Sequence, residues 1–488
     1  MRRPRLEFLS KSEILDIDEA SKTVLEKAGL MVDHPIARKM FKKAGCEVDE
    51  KTKIVKIPRS LVMWALSSTP TCYTYYSRDG RHDVTLSGDG SHTLFAPLGI
   101  GTKMTDYVSP GVFNKRDSTL QDIVNISKVV DACDHVDYMI QGVSALDLML
   151  ETKKNRHVRE FDALLRGTSK PFMWDSDYRY NKECFEIEAA VYGGDEEEAR
   201  KKPFFMNVSC TTSPLQLGHA ICDLCITSAE YNIPMMVMTM GMCGTSAPIH
   251  IAGTLVENNA EVLGGLVLSQ LANKGAPNLY GSCTTSFDFH CNSAPFGTPE
   301  ATIISSCVAQ LANFYGVPSI VSGCVSDSKY PDVQSGHETT LNTILPTLCG
   351  ANSLTGAGMI DVGMSHSLEQ LVIDDDLFGV MRRIEGGVEV NKETLMVDDI
   401  IATGPFGDYV AHQSTLDNLD MLSNPLIFDH NMFDDWRSSG GKMAMEKAHD
   451  RVTDILRNHE VTPIEKDVYA EISKIIKIAD QKTAKENS

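Results

Sequence analysis

From residue 138 onward the chain alternates short apolar runs with longer amphipathic stretches. In the stretches at 254–271 and 299–314, apolar residues recur at intervals of three and four, which is typical of one face of a helix. Strands that alternate with helices indicate parallel pairing through right-handed crossovers. The predicted strands are 138–142, 171–174, 203–208, 234–238, 278–280, 318–325, 353–359 and 371–373.

Eight such units are the number that a closed (β/α)8 TIM barrel requires. The alternative is an open doubly wound sheet, which a Gly-x-Gly-x-x-Gly motif after the first strand would favour, and that motif does not occur there. We therefore predict an α/β protein with a barrel at 116–394. An α+β extension at 1–115 and a mostly helical extension at 395–488 are predicted to cover the barrel or to form oligomer contacts.

Composition narrows the choice of partners. The 488 residues include 46 basic and 66 acidic side chains, a net charge of −20, which argues against nucleic acid and anionic membrane surfaces. No apolar run approaches the roughly 18 residues of a membrane helix, and no signal-peptide core follows the N-terminal basic residues. Thirteen scattered cysteines are typical of reduced thiols. We expect a cytoplasmic protein.

Possible metal ligands lack a diagnostic spacing. Cys222 and Cys225 form a Cys-x-x-Cys, but they lie in a helical pattern without a second pair, so packing is the better interpretation. His290 and Cys291 are adjacent to each other, and nothing at a ligand spacing supports them. We predict no metal site.

A cluster of ionisable residues follows the predicted strand 318–325. Barrel enzymes place their chemistry at such strand exits. Lys329 suggests a Schiff-base lyase, an alternative that we retain, although the neighbouring carboxylates favour a protonated amine and so oppose that chemistry. The cluster comprises Asp327, Lys329, Tyr330, Asp332, His337 and Glu338.

Two further patterns mark the strand exits. Cys-Thr-Thr-Ser at 210–213 and 283–286 and Cys-Gly-Thr-Ser at 243–246 are either ordinary turns or a wide floor for a large flat ligand. Aromatic residues also occur near the exits, and as a set they fit a cage for a quaternary ammonium ion. The residues predicted to bind such a substrate are Tyr330, Trp174, Phe95, Phe289 and Asn207.

The order of motifs resembles that of the trimethylamine methyltransferase family. The matching segments are Leu-Gly-Ile-Gly-Thr at 98–102, residues 206–214, Ala-Pro-Phe-Gly-Thr-Pro-Glu at 294–300, Ser-Asp-Ser-Lys-Tyr-Pro-Asp-Val-Gln at 326–334, and Trp436 followed by Gly440-Gly441. The resemblance covers nearly the whole chain. It implies a (β/α)8 barrel, a homo-oligomer, and methyl transfer to a corrinoid carried by a separate protein that docks over the barrel mouth, with no cofactor held tightly by this chain.

The resemblance also places the pyrrolysine of archaeal trimethylamine enzymes at or beside Tyr330, where this chain has a standard amino acid. A quaternary ammonium needs no activating residue, because its amine already leaves as a neutral molecule. We therefore predict a betaine substrate, such as glycine betaine, proline betaine or carnitine. Glu338 is predicted to balance the ammonium charge and His337 to hydrogen-bond the carboxylate. The other eligible carboxylate partners are Arg78, Arg81, His92 and His366. A non-catalytic betaine-binding protein is a third hypothesis.

Overall fold

The computed structural model describes residues 4–149 and 151–486, and its centre is a parallel eight-stranded barrel. The strands β1–β8 are Leu94–Pro97, Met139–Ile140, Phe172–Met173, Phe205–Cys210, Met235–Thr239, Asn278–Ser282, Ser319–Ser322 and Ser353–Ala357. The helices α1–α8 that follow them are Leu120–Ala132, Arg156–Gly167, Asn181–Val191, His219–Tyr231, Ile251–Ala272, Pro299–Tyr315, Val333–Leu348 and Leu368–Glu385. The predicted (β/α)8 barrel is confirmed.

Seven predicted strands are confirmed, and the eighth is wrong. Residues 371–373 lie inside α8, where Leu371 and Val372 join Phe378 and Met381 on a buried helical face. A three-residue apolar run does not distinguish a helix from a strand. The missing strand is β1, so the barrel begins before residue 116. The run at 318–325 therefore contains the seventh strand of the barrel rather than the sixth.

The barrel interior is filled by side chains that alternate along the strands. At the amino ends of the strands, the hairpin Cys72–Tyr75 and Val84–Ser87 inserts Tyr75 and Leu86 beneath this core. The Tyr138 hydroxyl and the Ser353 hydroxyl are 2.8 Å apart across it. The barrel is therefore packed at the amino ends of its strands, and its cavity lies toward the carboxyl ends. The interior residues are Leu94, Ala96, Tyr138, Ile140, Met173, Met206, Met236, Leu279 and Ile320.

The remaining elements surround the barrel. The other α-helices are Lys11–Lys27, Pro35–Lys43, Arg59–Ser68, Leu146–Met149, Glu196–Lys201, Val397–Thr403, Gln413–Asp417, Phe433–Ser438, Ala444–Asn458 and Lys466–Glu486. The other strands are Leu30–Val32, Glu47–Asp49, Ile54–Lys56, Lys103–Ser109, Val112–Asp117, Gln216–Leu217, Met242–Cys243, Thr285–Ser286, Met359–Ile360 and Ser365–His366. Of these, Lys103–Ser109, Val112–Asp117, Met359–Ile360 and Ser365–His366 form one sheet from the loops after β1 and β8.

The thirteen cysteines all lie in the described residues and are all free thiols. Cys222 and Cys225 pack inside the core from α4, where burial raises the pKa of Cys225 to about 12. Both side chains therefore fill space, as a packing interpretation requires. Across residues 4–149 and 151–486, no helix has the combined length and apolarity that crossing a membrane demands.

A hydrogen-bonded ion pair closes the barrel between β1 and β2. The Asp137 N–H donates to the Phe95 carbonyl over 2.8 Å, and the Phe95 N–H donates to Asp137 Oδ2 over 2.7 Å. Arg382 of α8 donates to both oxygens of Asp137 at 2.6 and 2.7 Å, and its guanidinium lies 5.4 Å from the Phe95 ring centroid. Phe378 stacks on the same ring at 4.3 Å.

We predict that Arg382→Leu lowers the free energy of unfolding by about 3 kcal/mol, because it leaves the half-buried Asp137 carboxylate without its cation. The neighbouring Arg383→Leu is the matched control. Arg383 donates only to the Met421 and Gly387 carbonyls at the surface, so we expect a change below about 1 kcal/mol. Urea unfolding of the two variants measures the difference. Equal losses would show that closure does not depend on this pair.

Candidate functional site

A cavity of about 490 Å³ lies at the carboxyl end of the barrel. Each of the eight strands, or the loop that follows it, contributes to its wall. This is the end at which barrel enzymes bind their substrates. The wall is mainly apolar, and its flexible part consists of the thioether side chains of Met173, Met238, Met240, Met359 and Met364.

The rim of the cavity exposes apolar side chains. Ile100, Met240 and Met364 line the cavity and are 65%, 38% and 53% exposed. Apolar groups that remain exposed around a pocket are typical of a surface that contacts a further molecule.

The Leu-Gly-Ile-Gly segment after β1 lets three loops meet at the cavity. A Cβ on Gly99 would lie 2.2 Å from the Gly142 carbonyl oxygen, and one on Gly101 would lie 2.5 Å from the Met364 carbonyl oxygen. Real Cβ atoms do not approach backbone so closely, so both positions require glycine. These two residues hold the loops after β1, β2 and β8 together.

Asp175 is the one charged side chain among the described residues that line the cavity. It follows β3 directly, and its N–H donates to Gln141 Oε1 over 3.1 Å. Its Oδ2 lies 3.3 Å from Arg156 Nη2 on α2, and the side chain is 30% exposed. The cavity therefore has a negative wall on the β3 side.

Arg156 is shared between two carboxylates. Its Nη1 lies 3.4 Å from Glu160. Glu160 also accepts a hydrogen bond from the Ala145 N–H over 2.6 Å. Burial raises the pKa of Glu160 to about 7, and the positive charge of Arg156 opposes that rise.

The same cluster contains the atoms of a possible metal site. Ligand atoms of His157, Glu160 and Asp175 lie within 4.8 Å of one another. The Arg156 guanidinium lies among them, with Nη2 3.2 Å from His157 Nε2, so a positive charge is already present at this point. Burial and Arg156 also lower the pKa of His157, which keeps that ring neutral.

Trp174 and Asn207, two predicted substrate-binding residues, lie together beside the cavity. Trp174 is among the lining residues, but its ring packs edge-on against Phe161 of α2 at 5.4 Å. Its Nε1 donates to Asn207 Oδ1 over 2.8 Å. Asn207 is fully buried and donates in turn to Asn181 and Ser228. Both side chains therefore brace β3 and β4 against the helices, and Asn207 does not line the cavity.

The other predicted aromatic residues do not meet in a cage. Phe95 points outward from the barrel and stacks on Phe378, so its position is structural. Phe289 is 64% exposed and packs on Phe287. Tyr330 is 42% exposed and stacks on Phe113 at 4.9 Å. None of these three predicted residues is among the described residues that line the cavity.

Glu338 clamps the segment after β7 rather than facing the cavity. Helix α7 begins at Val333 because the Asp332 carboxylate caps it, which directs Glu338 back toward the loop. Glu338 Oε2 accepts from the Ser326 hydroxyl at 2.7 Å and from the Asp327 N–H at 2.8 Å. His337 is exposed to solvent.

Asp327 connects the segment that Glu338 holds to the cavity wall. Its carboxylate accepts from the N–H groups of Phe296 at 2.9 Å and Gly297 at 2.7 Å, and Phe296 lines the cavity. Burial raises the pKa of Asp327, and these two N–H groups oppose the rise. Glu338 is therefore a positioning residue for Phe296.

The predicted cations also lie outside the cavity. Lys329 is 59% exposed and pairs with Asp361 at 3.6 Å, which does not fit the desolvated amine of a Schiff-base enzyme. Arg78 donates to the Thr168 and Thr462 carbonyls. Arg81 pairs with Asp79. Neither arginine, nor His92, His337 or His366, is among the described residues that line the cavity.

The site residues that the sequence analysis missed are Asp175 and the methionines. Asp175 carried a usable signal, since it directly follows a buried apolar run. The methionines did not, because their residue type is equally common in a core.

The comparisons establish the class of the protein, which is a methyltransferase. The family model described as trimethylamine methyltransferase (MTTB) matches residues 1–484, and the chain belongs to this family.

Relatives match over nearly full length. A trimethylamine methyltransferase MttB of Methanosarcina barkeri strain Fusaro is 43% identical over 98% of this chain and 96% of its own. A glycine betaine methyltransferase of Desulfitobacterium hafniense strain Y51 is 27% identical over 97% of each chain. The crystal structure of the Methanosarcina barkeri monomethylamine methyltransferase MtmB has a TM-score of 0.49 and 14% identity, covering 98% of this chain and 92% of that one.

We predict that Glu338→Ala lowers the free energy of unfolding by about 1–3 kcal/mol, because it removes the acceptor of the buried Asp327 N–H and the Ser326 hydroxyl. The adjacent His337→Ala is the matched control, and we expect it to change stability by less than about 0.5 kcal/mol. Glu338→Gln keeps one accepting oxygen and should fall between them. Urea unfolding measures all three. A null effect of Glu338→Ala would rule out the clamp.

His366 provides a pH-dependent test. Burial lowers the pKa of His366 to about 4. The unfolded chain therefore binds one more proton between pH 6.5 and 4, so folding stability falls as the pH is lowered, by about 1.4 kcal/mol per unit in that window. We expect His366→Gln to remove this part of the pH dependence and His337→Ala to retain it. Unfolding free energies at pH 7, 6, 5 and 4.5 check the prediction, which identical slopes for all three proteins would refute.

Proposed function

We propose that this chain transfers a methyl group from a quaternary amine to the Co(I) of a corrinoid bound to a separate protein. The observation that carries the proposal is the apolar cavity at the barrel mouth, whose described lining residues include a single carboxylate. Such a cavity excludes water from a methylated ammonium group and still supplies an opposite charge. The relationship to a glycine betaine methyltransferase supports a quaternary substrate.

The reaction requires the protein mainly to position the substrate. A bound corrinoid would supply the electron pair for the new bond to the methyl carbon, and the electron pair of the broken C–N bond would leave with a neutral tertiary amine. No proton moves in this step, which agrees with a cavity that offers no base other than Asp175 among its described lining residues. The chain's contribution is to fix the ammonium group in line with the mouth and to keep it dry.

The rim fits a docking surface for the corrinoid protein. Ile100, Met240 and Met364 present exposed apolar groups around the opening, where a flat macrocycle would lie. Removing such groups from water favours association. The corrinoid would therefore contact the rim, and the amine would lie below it.

Trimethylamine is the second candidate substrate, because the methyltransferase named for it shares 43% identity with this chain. The standard residue Tyr330 in the segment that resembles the pyrrolysine loop argues for the quaternary amine. The Schiff-base alternative is weakened by the exposure of Lys329. A betaine-binding protein remains distinguishable by the assay below.

Methyl transfer should be measured with the purified chain, a corrinoid protein and a chemical reductant. We expect quaternary amines to methylate the corrinoid, seen by its absorption change and by release of the tertiary amine, and trimethylamine to give no transfer. Transfer from trimethylamine alone would contradict the proposal in favour of the second candidate. Binding without transfer to any corrinoid protein would favour a binding function.

A rim variant tests the docking surface separately. We expect Ile100→Lys to lower the rate of transfer at limiting corrinoid protein by about tenfold or more, because it places a charge in the contact. Val388→Lys is the control, since Val388 is 77% exposed and does not line the cavity. Equal rates for both variants would exclude the rim as the docking surface.

A further inference from the structure

The charges of the cavity wall indicate which kind of ammonium compound would bind in the cavity. Among the described residues that line the cavity, Asp175 is the only carboxylate, and lysine, arginine and histidine do not occur. Two thiols also line it. Burial raises the pKa of Cys283 to about 12, so its thiol is neutral at pH 7, and the exposed Cys210 thiol carries no positive charge in either protonation state. The wall therefore carries negative charge and no positive charge.

A carboxylate on the ligand would find no cationic partner among the described residues that line this cavity, where the remaining hydroxyl donors, Thr102, Ser209 and Ser322, are neutral. The amide of Gln141 donates to the Val143 carbonyl over 3.0 Å. The Ser176 hydroxyl lies 3.1 Å from Asn207 Oδ1 and donates to it. The nearest guanidinium, that of Arg156, lies between Asp175 and Glu160. A buried anion without a paired cation is unfavourable, and here it would also face Asp175.

Asp175 is free to pair with a cation because Arg156 has a second partner. Arg156 contacts Glu160, which is fully buried and belongs to the same helix one turn away. Burial raises the pKa of Glu160 to about 7, so Glu160 carries its negative charge mainly above that pH. In that state the charge of Arg156 remains balanced by Glu160 when Asp175 pairs with a ligand, and the two carboxylates around one guanidinium leave one negative charge for the cavity.

We propose that the cavity selects an alkylammonium cation without a carboxylate, such as choline or tetramethylammonium, over a zwitterionic betaine, with Asp175 as the counter-ion. For the reaction this rests on the proposed function; for binding it stands alone. The proposal replaces the betaines that the sequence predicted with another class of quaternary amine. It also assigns the role of counter-ion to Asp175 instead of Glu338.

Calorimetric binding to the whole chain, without a corrinoid protein, tests the proposal. Three ligands share a head of the same size: choline, glycine betaine, and 3,3-dimethyl-1-butanol, the neutral carbon analogue of choline. We expect choline to bind at least about tenfold more tightly than either of the others. Glycine betaine binding as tightly as choline would overturn the proposal, and this comparison needs no variant.

Variants then assign the counter-ion. We expect Asp175→Asn to weaken choline binding about tenfold or more and to leave the neutral analogue unchanged, while Asp175→Glu keeps the preference for choline. Asp177→Asn is the control, because it removes the same charge two residues away from a side chain that does not line the cavity and that contacts Arg179 and His157 instead. We expect its affinity for choline to stay within about twofold. An unchanged affinity in Asp175→Asn would overturn the assignment.

The outcomes separate this inference from the proposed function. Choline binding that depends on Asp175, without methyl transfer from any quaternary amine, would leave the cation site standing and refute the reaction. Methyl transfer from betaines with no effect of Asp175→Asn would support the reaction and refute the cation site.

Discussion

The hydrogen bonds and the ion pair between β1 and β2 determine whether the loops above the barrel can form a cavity at all. Asp137 accepts a hydrogen bond from the backbone of Phe95, and Arg382 compensates the charge of the half-buried carboxylate. Directly above this seam, Gly99 lies against the Gly142 carbonyl. A barrel that opened here would separate the loops after β1 and β2, and the cavity would lose one side. The seam therefore supports both the fold and the site.

A second support acts on the opposite side of the mouth. Glu338 holds the segment after β7, and Asp327 in that segment holds the backbone of Phe296. These charged side chains thus lie behind the cavity wall, where hydrogen bonds satisfy them, while the wall itself is mainly apolar. This division explains why the densest group of ionisable residues in the sequence does not line the cavity.

The sequence could predict the barrel because its signal is repetitive. Seven strands follow from apolar runs between helical patterns, whereas β1 is a four-residue strand outside that alternation. The side chains that line the site were harder to predict, because alternate side chains of a strand point to opposite faces of the sheet. Met173 faces the barrel interior and Trp174 faces the helices, a distinction that the sequence pattern alone does not show. Seven strand exits were correctly located, but of the predicted substrate-binding residues only Trp174 is among the described residues that line the cavity.

The methionine wall has a chemical consequence of its own. Oxidation converts a thioether to a sulfoxide, which replaces an apolar surface by a polar one. Met240 and Met364 at the rim are exposed to solvent, whereas Met173 and Met359 lie deeper. Oxidants would reach the rim first and make it hydrophilic before the interior is affected. Oxidation by air would then begin at these methionine side chains, and a reductase for methionine sulfoxide could restore their thioethers.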